Sequence, residues 1–343
     1  MICRLSSVIS LDARRAIQTH RSVIYRCVGL GSVCCLLLFL PVSPCPQNGH
    51  YQSPQSPSMV HSTWGDWFVT EEVEAVRPSG VSVWYLGCNG FIVRSAETTL
   101  YIDPYFGDGD PPNVVRMIPV PVDPADVTLC DAVLVTHEHI DHTHPPSYGP
   151  LVEDLGAAIH APSAAYTDPD YDGPLRAPAD RRHTVAVGDR FTVGDFTVHV
   201  RGANDPDAIE PVTYVIEHDT GVIVHPGDSR PAEAFHEIGE SFEIDLGVLA
   251  VGSKGQIHYP DAGETRRTEW YMSENQAIEA ANALRLGRLL PSHFDIWRGM
   301  NADPKSLHEH ATAHEYPHVI ETPRVGDRFD LARPGTVRPM ILR

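Results

Sequence analysis

Cysteine is scarce where it would shape a fold. Of seven cysteines in 343 residues, Cys3, Cys27, Cys34, Cys35 and Cys45 crowd the N-terminal stretch, and only Cys88 and Cys130 lie beyond it. Neither belongs to a CxxC pair, which excludes a disulfide framework and assigns the body to a reducing, cytoplasmic compartment. Positive charge is also short: 26 Lys and Arg face 45 Asp and Glu, a formal net charge of −19. Such a chain repels phosphate backbones, so nucleic acid is excluded as a default partner. Long apolar runs are missing too. The longest, Val28 to Leu40, has about 13 residues, short of the roughly 20 that a membrane-spanning helix needs. No membrane partner is therefore expected for the body, and no repeat of solenoid period is visible. What is abundant is turn-forming residues, 30 Pro and 26 Gly, which suit a loop-rich, β-containing fold.

Residues 1–58 differ from everything after them, with five arginines, no lysine and a single acid. Three readings compete for this extension: translation starts at Met59, Val28 to Leu40 is the core of a signal or anchor, or the stretch has a folded role. The basic stretch before that run is long for a signal, and Pro41, Pro44 and Pro46 crowd the expected cleavage region. Gln52 to Pro57 reads as low-complexity linker. The extension is expected to be disordered, and residues 59–343 to form the domain that does the chemistry.

The body is organised around Val135-Thr136-His137-Glu138-His139-Ile140-Asp141-His142. Ala132 to Val135 is a short apolar run that reads as a buried strand. The polar residues then hang from its carboxyl end, where α/β folds place their sites. In extended backbone, residues two apart point the same way, so His137 and His139 can grip one ion. The turn that follows can aim Asp141 and His142 at a second. Imidazole and carboxylate together suit divalent metals such as zinc and manganese. Glu138 and His144 adjoin the motif and are given no catalytic role.

Around this octet the pattern alternates between strands and helices. Val81–Leu86, Phe91–Val93 and Thr99–Ile102 read as a meander, and residues 108–128 as a long loop near the site mouth. A helix is expected around Leu151–Leu155, then a strand Ala157–His160 and a short helix Ser163–Tyr166. Thr184–Val187, Arg190–Val193, Phe196–Val200, Val212–Ile216 and Val222–His225 read as strands. A helix Ala232–Glu237 and a buried strand Ile244–Val251 follow. Ser273 with Gln276 makes a capping box for a helix Glu274–Leu286, which Gly287 is expected to stop. Leu289-Leu290 is a strand, and Lys305–His314 a last helix. The whole reads as α/β, two sheets face to face with helices outside.

Three more candidate ligands lie just past strands of this scheme. Asp228 sits in His225-Pro226-Gly227-Asp228-Ser229, where a carboxylate could bridge two ions. His293 follows Leu289-Leu290. Asp205 sits in Gly202-Ala203-Asn204-Asp205-Pro206. In isolation each has a blander reading: an Asx-turn acid, a satisfied buried histidine and a loop acid.

His137-Glu138-His139-Ile140-Asp141-His142 resembles the HxHxDH signature of the metallo-β-lactamase superfamily. Over about residues 61–310 the chain is most similar to the L-ascorbate-6-phosphate lactonase group. The similarity rests on Trp64-Gly65-Asp66-Trp67, Leu86-Gly87-Cys88-Asn89-Gly90, Gly227-Asp228-Ser229 and His293-Phe294-Asp295-Ile296-Trp297. The resemblance implies a four-layer αββα sandwich and an aspartate, here Asp205, where the wider superfamily has a histidine. Residues 253–272 depart from that group, so sugar-phosphate specificity is not carried over.

Together these readings give a metal-dependent hydrolase with two divalent ions, Mn or Zn. His137, His139 and Asp205 hold one ion, Asp141, His142 and His293 the other, and Asp228 bridges them. A metal-bound hydroxide, which Asp141 could orient, would open a lactone or ester of a small molecule such as a sugar or sugar phosphate. A metal-dependent phosphodiesterase is the alternative, since the same centre serves phosphoryl chemistry. Assembly into a homo-oligomer is left open.

Overall fold

A computed structural model describes residues 64–331, except 253 and 301. The expectations for residues 1–58 lie outside the described residues.

Two seven-stranded sheets make the frame. The first runs, edge to edge, through 328–331, 81–87, 90–94, 99–102, 132–134, 158–161 and 182–184. Its first four strands pair antiparallel and the rest parallel. The second runs through 319–320, 288–292, 246–250, 221–225, 212–218, 196–202 and 190–193. There the parallel pairs come first and the antiparallel meander last.

The strand pleat explains why these sheets stack. Successive side chains face opposite ways, so both faces must be apolar if both are covered. In Val81–Gly87, Val83 and Tyr85 turn inward against Val198, Tyr214 and Leu246 of the other sheet. Trp84 and Leu86 turn outward, into a second cluster with Phe68, Tyr148 and Leu151. The other sheet repeats the pattern, with Val215, Val224 and Leu249 packing outward on Phe235, Ile278, Ala281 and Leu307. Helices thus cover both outer faces, and the four-layer αββα sandwich is the architecture.

The expected elements are largely present, with instructive shifts. The helix placed around Leu151–Leu155 is Pro145–Glu153. Two prolines open it, and a proline in the first turn gives up only an amide that has no intrahelical partner anyway. The strand expected at Thr184–Val187 is Arg182–Thr184, paired with Ile159–Ala161. Ser273 and Gln276 form the full capping box, but the helix ends at Ala283. Arg285, not Gly287, takes the left-handed conformation after it, at φ +52. The divergent segment contains a hairpin, Gly255–Tyr259 with Glu264–Thr268. The long loop 108–128 carries a smaller one, Gly109–Asp110 with Val114–Val115. Among the described residues, no helix is long and apolar enough to cross a membrane.

Candidate metal centre

All the sequence-derived ligands come together at the carboxyl ends of strands. His137 to His142 follow 132–134, Asp205 follows 196–202, Asp228 follows 221–225 and His293 follows 288–292. The first sheet thus supplies one half of the centre and the second sheet the other.

The donors form two groups, each drawn together within 4.8 Å. In one, His137 Nε2 lies 2.9 Å from His139 Nδ1 and 3.6 Å from Asp205 Oδ2. In the other, His142 Nε2 lies 3.2 Å from Asp228 Oδ2 and 3.8 Å from Asp141 Oδ1. His293 Nε2 is 3.1 Å from Asp141 Oδ2 and 3.5 Å from Asp228 Oδ2. The rings of His137 and His142 stand 3.9 Å apart and join the groups. Asp228 gathers with the second group.

Backbone turns aim these donors. Gly227 has φ +62, and a Cβ there would lie 2.6 Å from Thr136 Oγ1, so only glycine lets the Asp228 turn approach the first sheet. His293 itself adopts φ +62, held by its amide donating to the Cys88 carbonyl at 2.9 Å and by its ring stacking on Tyr271 at 4.1 Å.

A second ring of residues, given no site role from sequence, orients the donors. Asp103 accepts from the Thr136 amide and hydroxyl at 2.8 and 2.7 Å, and from His142 Nδ1 at 2.8 Å. An ionised carboxylate only accepts, so Nδ1 carries a proton and Nε2 is the nitrogen of His142 that faces the site. Asn89 Nδ2 donates to Asp228 Oδ1 at 3.1 Å, and Ser292 Oγ donates to Asn89 Oδ1 at 2.7 Å. Cys88 places its Sγ 3.4 Å from His293 Nε2 and 3.6 Å from Asp141 Oδ2. Asp103, Asn89 and Cys88 lie on turns after the first strands. A buried polar residue beside a strand-end turn is their one sequence signal, too common to single them out.

Electrostatics separate the donors. Burial, then neighbouring His142, pushes His137 down to about 3, leaving it neutral. Burial would lower His142, but Asp228, Asp103 and Asp141 outweigh it and raise it well above the ordinary histidine range. Burial and then Asp228 push Asp205 up to about 6. For Asp228, burial opposes ionisation, yet His293 and His142 hold it below the usual carboxylate range. Buried acids that compete for histidine protons are a pattern that divalent cations relieve. His142 Nε2 and Asp205 Oδ2 are buried with no hydrogen-bond partner. A buried polar atom left unsatisfied is costly, and a cation would satisfy both. The donor set therefore fits divalent metal.

A buried His/Asp cradle at strand ends of a four-layer sandwich defines a metal-dependent hydrolase. The family model described as the beta-lactamase superfamily domain matches residues 98–294. The chain belongs to the beta-lactamase superfamily. It is 26% identical over 297 residues to a protein of Escherichia fergusonii named probable L-ascorbate-6-phosphate lactonase UlaG, across 71% of this chain and 78% of that one. Its fold matches Igni18, a metallo hydrolase from Ignicoccus hospitalis, at TM-score 0.56 and 18% identity, over 73% of this chain and 98% of that one. It also matches an isothiocyanate hydrolase from Delia radicum gut bacteria at TM-score 0.55 and 16% identity, over 73% and 99%.

Proposed function

We propose that the protein opens lactones or esters of small molecules with two divalent cations. His137, His139 and Asp205 would hold one, Asp141, His142 and His293 the other, and Asp228 would be shared. The observation that carries this reading is the pair of buried unsatisfied donors, Asp205 Oδ2 and His142 Nε2, one in each group. Divalent metal held there would supply a water of lowered pKa and Lewis-acid polarisation of a carbonyl.

The chain's own residues supply the rest. Asn89 holds Asp228 Oδ1, and Oδ2 faces His142 and His293, which fixes the orientation of the carboxylate between the two imidazoles. Asp141 would orient the attacking water and accept its proton. The aromatic side chains Trp270, Tyr271 and Trp297 line the mouth and would keep bulk water from one side of the substrate. Three carboxylates make the donor set oxygen-rich, which suits manganese alongside zinc. The name borne by the UlaG relatives favours a lactone over other esters. The phosphodiesterase alternative has weaker support, because among the described residues no lysine or arginine lines the mouth.

The test is to strip the protein with a chelator, reload it with Mn²⁺ or Zn²⁺, and assay lactones, phosphodiesters and RNA side by side. Metal-dependent lactone turnover that exceeds the other two is expected. Phosphodiester turnover in excess of lactone turnover would overturn the reading.

A further inference from the structure

The cavity that opens onto the donors has a volume of about 300 Å³, with a wall and a rim of different character. The wall is aromatic. Trp297 and Tyr271 are buried and Trp270 is half-buried, and Trp297 Nε1 donates to the Tyr271 hydroxyl at 3.2 Å, which fixes the two rings against each other. The rim is acidic: Asp110, Asp170 and Asp207 stand around it, all exposed.

Three guanidinium groups nearby are tethered to backbone carbonyls, which leaves their charge in place, but none of them is among the residues that line the mouth. Arg116 donates to the backbone carbonyls of Tyr105, Ile118 and Pro119. Arg298 donates to the Pro112 carbonyl and Arg230 Nη2 to that of Glu269, while Arg230 Nε is buried without a partner. Inside, Asp141, Asp205 and Asp228 offset most of the charge that two divalent cations would bring. A ligand entering the mouth therefore meets a negative field set by the rim. Among the described residues, no guanidinium or lysine lines the mouth to receive a phosphate. A cation finds acids at the rim and aromatic faces behind them.

We infer that this mouth selects lactones or esters whose non-reacting part is aromatic or apolar and is cationic or uncharged, and that it discriminates against phosphorylated ones. The inference rests on the lactone or ester reading of the site. It adds the sign of charge that the substrate carries. Asp110 and Asp170 become specificity-determining residues, acting on the far end of the substrate and not on the reacting carbonyl.

The experiment uses the full chain loaded with Mn²⁺ and three γ-phenyl-γ-butyrolactones that differ only at the para position, bearing trimethylammonio, methyl or phosphate. The kcat/KM for the cationic lactone should exceed that for the phosphate by on the order of tenfold or more, with the methyl compound between. Raising the salt should shrink the ratio, because the rim charges are exposed. The charge reversal Asp110→Lys with Asp170→Lys should move the ratio by about tenfold towards the phosphate. A merely structural role for these acids would lower all three rates and leave the ratio where it was, which would overturn the inference.

Binding of the matching γ-lactams, measured by calorimetry, separates this inference from the reading beneath it. If the lactones are not opened but the lactams bind in the order cation, methyl, phosphate, the charge selection stands and the hydrolase reading falls. If the phosphate lactam binds best, or none binds and the lactones show no preference for the cation, the charge selection falls.

Discussion

Asp103 and His142 form a closed pair: Asp103 Oδ2 accepts from His142 Nδ1 at 2.8 Å, and both side chains are fully excluded from solvent. Burial alone would raise the Asp103 carboxyl, but the adjacent His142 overcomes it and holds the acid below its usual range. The pair fixes which nitrogen of His142 faces the donors. Asp103→Asn keeps the shape and can still accept from the Thr136 amide, but it can no longer anchor the imidazole with a charge. Affinity for the more weakly held ion should fall about 10- to 100-fold, as for other residues that support metal ligands. Chelator competition would measure it, with circular dichroism to confirm the fold. Unchanged affinity would mean that His142 is positioned by packing alone.

Asp228→Ala should remove most bound metal and nearly abolish hydrolysis. His142 and His293 both face Asp228 Oδ2, at 3.2 and 3.5 Å, so its loss strips the carboxylate from between two imidazoles. Metal content after dialysis and turnover on one lactone are the measurements. A variant with full metal and full turnover would show that the centre lies elsewhere.

Asp205→His bears on metal choice. A carboxylate in place of an imidazole hardens the donor set, although raw affinity still follows the Irving–Williams order and favours zinc. The parent should turn over a lactone with manganese at least as well as with zinc after reloading. Asp205→His should shift the preference towards zinc without unfolding the chain. A parent active only with zinc, together with an unchanged profile in the variant, would remove Asp205 from the ligand set.

His160 sets a pH dependence away from the metals. Its ring stacks on Phe191 at 4.1 Å and on His183 at 4.7 Å. Burial, then His183, pushes it down from 6.5 to about 4. The folded value lies below the unfolded one, so the unfolded chain takes a proton that the native state refuses. Stability from this group is whole above pH 6.5, is lost as the pH falls towards 4, and levels off below that. The loss amounts to about 3 kcal/mol. His160→Phe keeps the stacking and removes the titration. Urea unfolding of the metal-stripped parent and variant at pH 7, 5 and 4 should show a shallower acid slope in the variant. Identical slopes would exclude His160 as a source of acid sensitivity.

The convergence of the donor side chains was legible in sequence because they announce themselves in two ways. His137 to His142 are packed into one octet, and the distant three each sit past a recognisable strand. The supporting ring was not legible, because nothing local marks Asp103 as a partner of His142 or Asn89 as a partner of Asp228. Their roles arise from sheet pairing: Phe91 to Arg94 lies against Thr99 to Ile102, and the strand ends of the first sheet meet those of the second. The hairpin Gly255–Tyr259 with Glu264–Thr268 was missed for a related reason. Its second strand, Glu-Thr-Arg-Arg-Thr, is mostly exposed and shows no apolar alternation. The Pro145–Glu153 helix was displaced because prolines read as breakers when they occupy its first turn.

The division of the donors between the sheets has a consequence for how the protein comes into being. Neither sheet holds a complete donor group, since Asp205 must join His137 and His139, and Asp228 and His293 must join Asp141 and His142. The ions would act as a clasp that only a finished sandwich can close, and the free energy of their binding would count towards keeping the two halves together. On the ribosome, the group of His137, His139 and Asp205 would be complete in sequence before the group that needs His293, so the two would become available in that order.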